Sequence, residues 1–80
     1  AVDYYRKAAG DYRSFALFFN TGVALQQAGK HAESIEEYKK ALRMEPDNIQ
    51  ALNNIAAAFQ HIGGREEAFK YLERLESLKK

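Results

Sequence analysis

The chain matches itself when shifted by 34 residues, and this constrains its fold more than any other feature. The shift pairs Asn20 with Asn54, Ala24 with Ala58, Gln26 with Gln60, Gly29 with Gly63 and Glu33 with Glu67. Between these identities lie pairs of like character: Phe18 with Leu52, Gly22 with Ala56, Leu25 with Phe59, Ile35 with Phe69, Tyr38 with Leu72 and Met44 with Leu78. Agreement in residue class carries more weight than the few identities. A self-similarity at this period marks a stack of supersecondary units, each unable to bury its apolar face alone.

Each unit reads as two helices. Phe15 to Ala28 is apolar on most sides and carries no charge, and Ile49 to Ile62 repeats this apart from His61. A helix with so little polar surface requires neighbours on more than one side. Gly29 with Lys30, and Gly63 with Gly64, supply the stops that helix C-termini favour. The partner helices, about Ala32 to Met44 and Arg65 to Lys79, are amphipathic. Their apolar residues follow i, i+3, i+4 spacing: Ile35, Tyr38, Ala41 and Leu42 in one, Phe69, Leu72, Leu75 and Leu78 in the other. Pro46 closes the first unit, and Asp47 or Asn48 can cap the next helix. Small residues (Gly22, Ser34, Ala41, Ala56) are expected where axes cross closely, with Phe18, Tyr38, Phe59 and Phe69 filling the gaps.

These residues resemble the tetratricopeptide repeat. The unit of that family combines a large apolar residue early in its first helix, small residues at the helix crossings, an aromatic in the second helix and a closing proline. Residues 15–48 supply Phe18, Gly22, Ser34, Tyr38, Ala41 and Pro46 at those places, and residues 49–80 supply Leu52, Ala56, Phe59, Ala68 and Leu72. Two departures stand out. Leu75 replaces a small residue, as expected of a helix with no further repeat against it, and Thr21 replaces a leucine. Ala1, Tyr5 and Ala8 fit the second helix of a preceding unit, joined through Gly10, Asp11 and Tyr12 by a connection about one residue short and without its proline. The resemblance therefore implies an all-α fold, an α-α superhelix of five antiparallel helices stacked as hairpins. One domain spans 1–80: residues 1–14 as helix and loop of a preceding repeat, then 15–48 and 49–80 as repeats. The whole is expected to be a fragment of a longer protein.

In this family the first helices line a concave groove. Carried onto this chain, the groove positions hold Ala16, Phe19, Asn20, Val23, Gln26 and Gln27, then Gln50, Asn53, Asn54, Ala57, Gln60 and His61. The list is uncharged and rich in carboxamides, which offer two donors and an acceptor, matching the needs of an extended peptide backbone. Asn20 and Asn54 stand one repeat apart and resemble the asparagine ladder of the O-GlcNAc transferase repeat array, which grips a peptide main chain. Bonding to a neighbouring helix is the other reading. Phe19 is read either as an aromatic anchor or as packing against the preceding repeat, and His61 either as a groove contact or as a solvated residue. Chaperone-binding members of the family hold an acidic tail with Lys, Arg and Asn. Here the corresponding places carry Phe19, Val23, Asn54, Ala16 or Gln50, so the cations that charge-assisted bonds to a carboxylate require are absent.

Composition narrows the remaining functions. Twelve Lys and Arg against eleven Asp and Glu leave a net charge of +1, too little for a general polyanion binder. The tyrosine and phenylalanine cluster Tyr4, Tyr5, Tyr12, Phe15 and Phe18 lacks the basic surround that base stacking would need. Cysteine is absent, which removes disulfides, thiolate metal sites and a cysteine nucleophile together. No serine stands beside a histidine in a recognisable arrangement, and no glycine-rich phosphate loop follows a strand. No apolar run reaches the length of a membrane span. The expectation is a protein or peptide partner, with self-association through open repeat ends as the alternative. No enzyme activity, cofactor, metal, nucleic acid or membrane is expected, and the cytoplasm is the favoured compartment.

Overall fold

Glycines in the left-handed region end two of the helices. Gly29 has φ 83° and Gly63 φ 82°, a conformation that costs a residue without Cβ almost nothing. Behind each, two backbone bonds close the helix end: Gly29 N–H donates to Gln26 O at 3.0 Å and Lys30 N–H to Leu25 O at 2.8 Å, then Gly63 N–H to Gln60 O at 3.2 Å and Gly64 N–H to Phe59 O at 2.7 Å. This pairing satisfies carbonyls that the helix would otherwise leave open.

The computed structural model describes the backbone of residues 2–79 and the side chains of residues 14–79. Among the described residues the chain forms α1 (Val2–Gln27), α2 (His31–Met44), α3 (Ile49–His61) and α4 (Arg65–Lys79). Asn48 caps α3, its side-chain oxygen accepting from Ala51 N–H at 2.9 Å. Three of the four helices lie where the sequence places them, to within a residue.

The start of the chain differs. Helix α1 runs unbroken through Gly10, Asp11 and Tyr12, so four helices form where five were expected. Glycine inside a helix costs only about 1 kcal/mol relative to alanine. With no proline at the connection, nothing in this segment forces a stop. The side chains of Ala1, Tyr4, Tyr5, Ala8 and Tyr12 lie outside the described residues.

Short connections fold each helix back on the one before it. Helix α2 packs on both α1 and α3, α4 packs on α3, and α1 meets α3 only marginally. The main core gathers Ile35, Tyr38, Ile55, Ala56, Ala58, Phe59 and Ala68. A smaller cluster of Phe15, Ala41 and Ala51 sits beside it. Each large core side chain contributes roughly 1.5–3 kcal/mol by leaving water.

Gly22 shows why a small residue is needed at the crossing. A Cβ there would stand 2.6 Å from Cε1 of Tyr38, so the tyrosine ring packs directly against the α1 backbone. Phe69 departs from expectation. It is 61% exposed and fills no gap in the core, because among the described residues no helix covers the outer side of α4.

Candidate binding groove

The groove candidates recur at three- and four-residue intervals along α1 and α3, which places each set on one helix face. Asn20, Gln27, Asn53 and His61 are exposed, with Gln50 and Gln60. Val23, Asn54 and Ala57 are half-buried, with Ala16 and Gln26. Phe19 is half-buried too. Its ring stacks on Phe15 at 5.6 Å and tilts against Tyr38 at 5.9 Å. Phe19 therefore packs within its own unit, with part of its surface left to the groove.

The polar centre of this face is reached from below. Tyr38 is fully buried, yet its hydroxyl donates to Oε1 of Gln26 at 2.6 Å. Gln26 lies one helical turn beyond Gly22, so the ring that fits against the glycine delivers its oxygen to the amide. Burial raises the Tyr38 pKa above the usual tyrosine value, and the Asn54 side chain, hydrogen-bonding to the same oxygen, draws it partly back. The observed bond of the hydroxyl thus ties α2 to the groove face of α1 within the first unit.

The two histidines come together although thirty residues separate them in sequence. The His31 and His61 rings stack at 4.3 Å with 4° between their planes. Parallel rings aim their in-plane lone pairs side by side rather than at one point, so the pair does not converge on a single ion. Among the described residues no group of three or more metal-ligating side chains forms.

The charged helices carry a surface of their own. Lys39 stands 5.9 Å over the Phe59 ring and Lys40 5.4 Å over Phe18. Phe59 and Tyr71 stack at 5.8 Å, and with Lys39, Glu67, Lys70 and Arg74 they line a shallow cleft of about 350 Å³. Within α2 Lys39 pairs with Glu36 at 3.7 Å and Lys40 with Glu37 at 3.3 Å, both at i, i+3. Exposed pairs of this kind are worth little. Among the described residues no helix is long and apolar enough to cross a membrane.

Comparison with known proteins agrees with this architecture. The family model for the TPR repeat matches residues 22–63. Photosystem I assembly protein Ycf3 of Synechococcus elongatus is 38% identical over 55 residues, covering 69% of this chain and 31% of that protein. Tetratricopeptide repeat-containing protein trd-1 of Caenorhabditis elegans is 32% identical over 56 residues, covering 70% of this chain and 7% of that protein. Among solved structures, MamA AMB-1 superposes with a TM-score of 0.78 at 31% identity over 81% of this chain and 36% of that one. MamA MSR-1 gives 0.75 at 31% identity over 81% and 37%. The chain thus spans about a third or less of each relative. Period, hairpin stack and family match converge: the chain belongs to the tetratricopeptide repeat family, the helical repeats of protein-interaction scaffolds.

Proposed function

We propose that this chain is a protein-interaction module that holds an extended peptide segment of a partner in the groove formed by α1 and α3. The observation that carries this reading is the run of uncharged, amide-bearing residues at water-accessible positions on both helices: Asn20 and Gln27 on α1, Asn53 on α3, with Asn54 half-buried between them. Carboxamides match the donors and acceptors of a peptide main chain. Val23, Ala57 and the open part of Phe19 give side chains an apolar floor. The absence of cations among the groove residues disfavours an acidic tail as ligand. No catalytic role is proposed.

Ycf3 is by its name an assembly protein, and holding partners together is the role its likeness supports for this chain. Titration of an uncharged peptide, selected from a random display library on the wild-type chain, tests the reading. Asn20→Ala with Asn54→Ala is expected to weaken binding about thirtyfold, since each hydrogen bond is worth about 1 kcal/mol. Equal affinity would remove the asparagines from the mechanism.

A second reading rests on a different observation. Phe69 at 61% exposure and Leu78 at 37% leave apolar surface open on α4, which suits contact with another repeat or a second copy. Sedimentation over a range of concentrations separates the two, because a strict monomer excludes self-stacking.

A further inference from the structure

The cleft beside Phe59 and Tyr71 lies away from the groove. Helices α2 and α4 both pack on α3 and not on each other, which leaves a trough between them. Its floor is Phe59, which at about 100° per residue stands roughly opposite the groove positions Gln50 and Ala57 on α3. The Phe59 ring is 8% exposed, and the half-buried Tyr71 stacks on it. Lys39 stands on one wall, Lys70 and Arg74 on the other, and Glu67 is the one acid of the lining.

Charge in this trough is unbalanced. Oε2 of Glu67 lies back toward Gly64, 3.1 Å from where a Cβ there would stand, at the helix end that best accommodates a carboxylate. Lys70 makes no ion pair among the described residues. Lys39 and Arg74 make one each, to Glu36 at 3.7 Å and Asp47 at 3.4 Å, with all four side chains at least 44% exposed. Pairs so wet are weak and give way to an incoming carboxylate. Asp47 shows the kind of group that the rim accepts, since it reaches Arg74 from the loop before α3, 27 residues away in sequence.

We propose that this trough is a second binding site, which takes an acidic segment of a partner protein with an aromatic side chain laid on Tyr71 and carboxylates on Lys39, Lys70 and Arg74. A lone small anion would meet the cations of one wall and leave the aromatic floor bare. A peptide carries acids to both walls and an apolar group between them, where burial adds to charge. The molecule is then two-sided. Its α1–α3 face is uncharged, while its α2–α4 face presents cations around an aromatic pair. This site stands apart from the groove reading, and either can fail without the other.

The probe is a short synthetic peptide of glutamates around a central phenylalanine, compared with a version in which every glutamate is glutamine and with inorganic pyrophosphate. The acidic peptide is expected to bind, to bind more weakly as salt is raised, and to shift resonances of Lys70, Tyr71 and Arg74 but not those of Asn20 and Asn53. Lys39→Gln with Lys70→Gln is expected to weaken it about tenfold, the loss of two exposed charge contacts. Both lysines are exposed, so the fold should survive the change. Asn20→Ala with Asn54→Ala should leave this binding unchanged. No binding, equal affinity for the glutamine version, or unchanged affinity in the lysine variant would overturn the inference. Tighter binding of pyrophosphate with the same shifts would overturn it too, by assigning the trough to a small anion.

Discussion

Helices α2 and α4 occupy the same place in successive repeats and live in different surroundings. Ile35 on α2 is 3% exposed, while Phe69, its counterpart one repeat on, is 61% exposed. Tyr38 is fully buried, and Leu72 is only partly so. Nothing in residue type explains this, since phenylalanine is the larger hydrophobe. The cause is neighbours. Helix α2 lies between α1 and α3, whereas α4 rests on α3 alone among the described residues. In a stacked array a repeat position does not fix burial; the next helix does.

The sharpest way to break this comparison is to truncate both counterparts. Ile35→Ala should cost about 2–5 kcal/mol in urea unfolding, as expected for a packed core site. Phe69→Ala should stay within about 0.5 kcal/mol, as an exposed site does. Similar losses would mean that α4 is covered as α2 is. Gly22→Ala comes next. Its new Cβ meets the Tyr38 ring at 2.6 Å, and a loss of about 1–3 kcal/mol is expected from overpacking, despite the better helix propensity of alanine. Ala56, the counterpart of Gly22 one repeat on, already carries that methyl group.

Tyr38→Phe should cost less, about 1 kcal/mol for one hydrogen bond. It also carries a signature in pH. Burial raises the tyrosine pKa in the folded state, so the folded chain holds the proton more tightly than the unfolded one. Its contribution is complete below the unfolded value, about 10, and is lost as pH rises through the raised folded value. The variant should therefore lose less stability above about pH 10 than the wild type. The smallest effect is expected at Arg74, which reaches Asp47 at 3.4 Å with both side chains largely exposed. Arg74→Ala should change stability by less than about 1 kcal/mol, and less still in high salt.

Much of the fold was legible because its signals are local. Gly29 and Gly63 end helices through their own backbone freedom, and Asn48 caps through its own side chain. Gly10 misled for the same reason: glycine permits a stop without compelling one, and the outcome there depended on the absent proline. Features that require two distant segments were not legible. The His31–His61 stack has no trace in spacing. Tyr38 reads as a core aromatic, and the path of its hydroxyl to Gln26 depends on how closely α1 approaches α2 at Gly22. The groove residues could be assigned to helix faces by period alone, but the half-burial of Phe19 against Tyr38 could not.

The most direct test of the binding face is to follow side-chain and backbone resonances while a library-selected uncharged peptide is added. The groove reading expects shifts at the amides of Asn20, Gln26, Gln27, Asn53 and Asn54, with α4 unaffected. Shifts centred instead on Phe69 and Leu78 would contradict it and assign recognition to the open face of α4.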